Sequence, residues 1–315
     1  MNLLSQLLDL PYTLETEYDQ RADRGKRVSK YRALNRPTRV CAKVKTYNNG
    51  RVETCVRNVD LQRILNQSFV KKEPSGRRVR VSAGLENPDS IRRAFDRARS
   101  KVRELCLQIN ADHLVTFTTR RVMPLADLLV RWDRFRRAFK KHLAENHKPE
   151  FQYVAVPEFH ADGEHYHMHV AVNGRFDVRG ARSLWHAITA NDFPVGTYDS
   201  DVHGNIDAQQ IKVEGNYPDV PGRIASYISK YIGKSLAEDF NRKKYYASRI
   251  SPAEVNQIIL EAADFTEAQA EISRRLGFQW DALFTSHRGS VFVFPGDTGF
   301  WFKLVPDCRR KPPPF

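Results

Sequence analysis

Residues 164–172 read E-H-Y-H-M-H-V-A-V, and residues 151–159 read F-Q-Y-V-A-V-P-E-F. Both are rich in β-branched and aromatic residues, and the turn sequence H-A-D-G (160–163) joins them, so together they predict an antiparallel hairpin. Side chains alternate across a strand, which puts His165, His167 and His169 on one face and Tyr166, Met168 and Val170 on the other.

On the N-terminal side, Asn87-Pro88-Asp89-Ser90 is a capping sequence for a helix running to about Asn110. A strand follows from His113 to Thr119. A second helix is predicted over 125–146, where Leu125, Leu128, Leu129, Trp132, Phe135, Phe139 and Leu143 form an apolar stripe. Arg131, Arg134, Arg137 and Lys141 lie away from that stripe. They are candidate DNA contacts if the helix lies near the site, and a solvated face if it lies far away. Beyond the hairpin come a helix at 178–190, a strand near 210–214, a helix at 221–236 and a strand at 244–248. The order β-α-β-β-α-β-α predicts an α+β fold, a central antiparallel sheet flanked by helices. Outside this core (86–250) lie a basic N-terminal region (1–85) and a C-terminal extension (251–315). In the first, Asn49-Gly50 closes a β-hairpin over 40–56. The second is expected to be helical over 252–276, with aromatic-rich strands near 290–304.

The chain has 315 residues, 41% hydrophobic and 28% charged, which excludes a disordered or fibrous protein. No apolar run approaches the roughly 20 residues of a bilayer span, and the N-terminus lacks the basic leader of a secretory signal. Four cysteines without C-x-x-C spacing read as reduced thiols, so a cytoplasmic location is expected. The formal net charge is +14. Residues 1–150 hold 33 basic and 17 acidic side chains, whereas residues 151–315 hold 18 and 20. That asymmetry points to a polyanionic partner, nucleic acid rather than membrane.

Two constellations carry chemistry. Imidazoles at alternate positions of a rigid strand can bind one divalent ion, and Glu158, across the hairpin turn, offers an oxygen ligand. A His/His/carboxylate set with open positions suits a catalytic ion rather than a closed structural zinc. One histidine on a half-exposed strand would be unremarkable; three beside a carboxylate favour metal, although which two ligate is left open by the pattern. The second constellation is Y-I-S-K-Y-I-G-K (227–234). On a helix Ile224, Ile228 and Ile232 form one buried stripe, Tyr227 and Tyr231 line its edge, and Lys230 and Lys234 lie just beyond. Ammonium groups there would favour phenolate and hold a phosphodiester. Gly233-Lys234-Ser235 is not a phosphate-binding loop, because Ile228 occupies the place of the required glycine, so no nucleotide cofactor is expected.

In combination these motifs resemble the HUH endonucleases, specifically the two-tyrosine rolling-circle replication initiators of single-stranded-DNA phages and plasmids. Tyr166-His167-Met168-His169-Val170-Ala171-Val172 is similar to the family's hydrophobic-His-hydrophobic-His motif. Residues 227–234 match its Y-u-x-K-Y-u-x-K motif (u, bulky and apolar), and Val115-Thr116-Phe117-Thr118-Thr119 resembles its threonine-bearing strand. The resemblance covers roughly 86–250. It implies nicking and joining of single-stranded origin DNA through a 5′-phosphotyrosine, with Tyr227 and Tyr231 as nucleophiles. Lys230 and Lys234 would assist them, and Mg²⁺ or Mn²⁺ would be held by His167, His169 and Glu158, with His165 as an alternative ligand. It also implies a bacterial host cytoplasm and a host helicase and DNA polymerase as partners. A two-tyrosine transposase would share the chemistry but commonly carries a cysteine-rich zinc module, which is lacking here. A non-catalytic single-strand-binding protein would bind without metal and form no adduct.

Overall fold

A computed structural model describes residues 12–18, 27–33, 38–60, 88–159, 166–174, 176–190, 204–210, 219–232, 243–262, 264–278, 291–293 and 299–305. The chain divides into two compact units, Val81–Ala253 and Met1–Arg80 with Glu254–Phe315. Among the described residues there are five helices, two antiparallel five-stranded sheets and a two-stranded ribbon of β1 (Tyr12–Tyr18) and β2 (Arg27–Ala33), which makes the fold α+β, as the sequence predicts.

In the unit Val81–Ala253 the sheet contains β5 (His113–Phe117), β6 (Tyr153–Phe159), β7 (Tyr166–Val172), β8 (Ile206–Gln210) and β9 (Tyr246–Ala247). Their order is β8-β5-β7-β6-β9, so the histidine strand β7 is central, flanked by β5 and β6. The helices are α1 (Pro88–Gln108), α2 (Leu125–Glu145), α3 (Val178–Ala190) and α4 (Val220–Tyr231). One face of the sheet carries Val115, Phe117, Tyr153, Met168 and Val170, which pack with Leu128, Trp132, Phe135 and Phe139 of α2 and Trp185 of α3. Phe117 is the hub, with ring centroids 4.8 Å from Phe135, 5.2 Å from Trp185 and 5.3 Å from Trp132, all edge-on, the arrangement that aromatic quadrupoles prefer. The Trp185 indole also donates to Thr118 O at 2.8 Å. Alternation along β7 turns His167 and His169 to the opposite face, where α4 packs on β6 and β7 and along α1. The predicted helices and the hairpin are present, with ends shifted by a few residues.

The second unit is built on a sheet of order β10-β3-β4-β12-β11, from β3 (Thr38–Thr46), β4 (Val52–Asp60), β10 (Glu254–Ile259), β11 (Val291–Val293) and β12 (Gly299–Leu304). The two terminal segments, expected as separate extensions, therefore share one sheet: β10 pairs with β3, and β12 with β4. The Asn49-Gly50 turn is present, with Gly50 at φ 78° and the Asn49 side chain accepting from Arg51 N at 3.1 Å. The helix expected over 252–276 is corrected by β10. Val255 and Ile259 have helical spacing, but the edge of β3 recruits the segment as a strand, and pairing context overrides a weak local preference. Helix α5 (Phe265–Leu276) begins only where the Asp264 side chain accepts from Glu267 N at 2.8 Å, and it ends at Gly277 with φ 68°. It covers Val40, Ala42, Val56, Phe300 and Phe302.

Candidate active site

Asp219 starts α4, its carboxylate accepting from Gly222 N at 3.0 Å, with a proline in the first turn where no amide hydrogen is needed. A Cβ at Gly222 would clash with the Asp219 carboxylate, so glycine lets the cap close. Ile224, Ala225 and Ile228 are buried beneath the helix. This anchoring sets the rotation of α4 and carries Tyr231, 8% exposed, onto the histidine face, while Tyr227, one turn earlier, remains 42% exposed. The two phenol rings meet edge-on with centroids 5.1 Å apart. Lys230 is exposed on the same turn.

Tyr231 lies flat on His169, with ring centroids 4.3 Å apart and planes 9° from parallel. His169 is itself held at both nitrogens: Nδ1 is 3.1 Å from Thr116 Oγ1, and Nε2 is 2.6 Å from Glu158 Oε2. Strand register explains the convergence. Thr116 and Val156 stand opposite His169 on its two neighbours, and Glu158 stands opposite His167, so the glutamate reaches His169 diagonally. If Nε2 donates to the carboxylate, Nδ1 accepts from the threonine hydroxyl; in the other tautomer Nδ1 donates and Nε2 presents its lone pair. The second arrangement is that of a metal-ligating histidine with its rear nitrogen tethered.

The donor set fits a divalent cation in kind: two imidazoles and a carboxylate share one face, and His169 and Glu158 already aim at a common point. His167 has its ring centroid 6.4 Å from that of His169. Among the described residues no three such side chains are already gathered around one point.

The phenol of Tyr231 is pushed well above its ordinary range, first by burial, then by its hydrogen bond and charge interaction with Tyr227, then by the Glu158 carboxylate. The sequence-based expectation that neighbouring ammonium groups favour phenolate is thus reversed at Tyr231, because burial and a carboxylate outweigh the solvent-exposed Lys230. His165 and Lys234 lie outside the described residues.

Arg131, Arg134, Arg137 and Lys141 belong to α2, whose apolar stripe packs on the face of the sheet opposite His169. The structure does not bring them to the histidines and tyrosines. Arg137 is turned back onto Asp133, Arg131 onto Asp127 O at 3.0 Å, and Lys141 toward Glu145 at 3.7 Å. These contacts are those of a solvated helix face. Thr116 is the residue that motif reading left without a role. Its strand is legible, but only the pairing of β5 with β7 sets its hydroxyl against Nδ1.

Residues 112–236 match a family model described as replication-associated protein, of the ORF2 type. The matched span runs from β5 to the end of α4 and so contains Thr116, Glu158, both histidines and both tyrosines of the cluster. It supports a role in replication. Comparison with curated proteins and with solved structures gives no match. Among the described residues no helix is long and apolar enough to cross a membrane.

Proposed function

We propose that the chain is a rolling-circle replication initiator of the HUH type, which nicks and rejoins single-stranded origin DNA through tyrosine. The observation that carries this reading is the stacking of Tyr231 on His169 at 4.3 Å, with Glu158 at the imidazole's outer nitrogen. A nucleophile and a histidine–carboxylate pair from distant parts of the chain meet at one point. In the reaction a tyrosine Oη attacks the scissile phosphorus and the bond to the 3′-oxygen breaks. The phenolic proton passes to water, and the departing oxygen takes up a proton to become a free 3′-OH. The 5′-phosphate remains on the tyrosine as a phosphodiester, so the reverse attack by a 3′-OH rejoins DNA without ATP. Held by His167, His169 and Glu158, Mg²⁺ or Mn²⁺ supplies Lewis-acid polarisation of the phosphate. Thr116 fixes the His169 ring, and the exposed ammonium of Lys230 is available to the phosphate charge. Tyr227 and Tyr231, one turn apart, allow a second nick while the first tyrosine still carries DNA. The 3′-OH primes a host DNA polymerase, and a host helicase opens the duplex.

Single-stranded oligonucleotides tiling the protein's own replicon, incubated with Mn²⁺ or with EDTA, test this directly. One tile is expected to yield a fragment whose 3′ end a polymerase extends, only with metal. Binding without cleavage on every tile would leave a DNA-binding protein.

A further inference from the structure

The sheet of the terminal unit has one face under α5 and another that α5 does not cover. Val40, Ala42 and Val44 of β3, Val56 of β4, and Phe300 and Phe302 of β12 pack into the α5 core. Alternation turns their neighbours the other way. On that outward face strand register lines up Lys43, Cys55, Trp301 and Phe292 in one row. The adjoining rows carry Lys45, Glu53 and Lys303 on one side, and Cys41, Arg57 and Gly299 on the other. Phe292 is 56% exposed, an unusual state for a sheet phenylalanine, and Lys43 and Arg57 are exposed. Among the described residues Glu53 is the single carboxylate in these rows, and Arg51 engages it in a buried pair with Nη2 2.8 Å from Oε1. Four cationic side chains therefore flank two aromatic rings that stand side by side on neighbouring strands.

We propose that this outward face of the terminal unit is a binding platform for single-stranded DNA, with Phe292 and Trp301 stacking on bases and Lys43, Lys45, Arg57 and Lys303 meeting the phosphates. Aromatic faces interleaved with cations suit unpaired bases, because a duplex hides its base faces and presents only phosphate to such a surface. The proposal rests on the replication reading for the identity of its ligand and assigns the terminal unit a strand-holding role apart from the tyrosine site.

The test uses the full chain carrying Tyr227→Phe and Tyr231→Phe, so that covalent capture cannot contribute, with fluorescein-labelled oligothymidine followed by anisotropy. Phe292→Ala is expected to weaken binding by about fivefold or more. Lys43→Gln with Arg57→Gln is expected to do the same and to flatten the dependence of affinity on salt. DNA-induced quenching of tryptophan fluorescence is expected to shrink in Trp301→Phe. Unchanged affinity in variants that melt like the parent, or equal binding of a duplex, would overturn the platform. If Phe292→Ala lowers the melting temperature, the Lys43→Gln/Arg57→Gln variant decides. Failure of the nuclease reading looks different: no adduct forms with Tyr227 and Tyr231 intact, while oligothymidine binding and its sensitivity to Phe292→Ala persist.

Discussion

Tyr227 and Tyr231 are chemically identical and one helical turn apart, yet they meet different surroundings. Tyr231 is stacked on His169 and held as a phenol by burial, by Tyr227 and by Glu158, whereas Tyr227 stands open to solvent. The exposed hydroxyl needs no rearrangement to meet a strand, so Tyr227 is expected to carry the first cleavage. On a gel, Tyr227→Phe should then lose most of the initial adduct, while Tyr231→Phe should form it and fail in the second transfer; the opposite pattern would reverse the assignment. Thr116 acts through His169 and is a positioning residue. Thr116→Val is expected to raise the Mn²⁺ concentration for half-maximal cleavage roughly 10-fold or more, with Thr116→Ser restoring it. An unchanged metal requirement would remove that role. The tyrosines, His167 and His169 were legible at this scale because spacing alone puts them on shared faces. Thr116 was not, because a threonine on a strand has no local signature and its partner lies 53 residues away.

At the scale of elements, α4 delivers the nucleophiles and depends on its cap. Asp219→Ala is expected to cost about 1 kcal/mol, seen as a lower urea midpoint with an unchanged slope. Helices α2 and α3 are tied by Asp177, which accepts from His142 Nε2 at 2.9 Å, from Gly180 N at 3.1 Å and from Lys148. Lys148 foremost, with His142 and Gly180, holds its carboxyl down at about 2 against an ordinary 3.8. A depressed carboxyl stabilises the fold fully above its unfolded value, and the contribution disappears as pH falls from about 4 through about 2. Asp177→Asn is therefore expected to cost on the order of 1 kcal/mol at neutral pH, less in high salt, and to flatten the acid limb of stability against pH. An acid limb identical to the parent's would contradict this. Helix α2 was readable from its stripe, and the 40–56 hairpin from Asn49-Gly50. Strand β10 was not, since E-V-N-Q-I-I has an ambiguous period and only the edge of β3 decides it.

For the whole molecule, the excess of positive charge in residues 1–150 was read as a grip on nucleic acid, and the structure distributes that charge between two units. The arginines of α2 face away from the histidine site and partly onto their own carboxylates. Reversing Arg134 and Lys141 together is therefore expected to leave cleavage of a short single-stranded substrate within about twofold of the parent, since exposed charges beyond a Debye length of roughly 8 Å are largely screened. A tenfold loss would place that helix on the DNA path. The sharing of one sheet by the two ends of the chain was invisible in the sequence, because long-range pairings such as β4 with β12 leave no local trace.

The central claim is that a tyrosine of α4 becomes covalently joined to DNA. The most direct measurement is mass spectrometry of the protein–DNA adduct, digested to a tyrosine-linked nucleotide, from wild type and from Tyr227→Phe, Tyr231→Phe and the double variant. The expected result is a Mn²⁺-dependent 5′-phosphotyrosine within residues 227–231, lost in the double variant and with EDTA. An adduct on any other residue, or none while single-stranded binding persists, would contradict the mechanism.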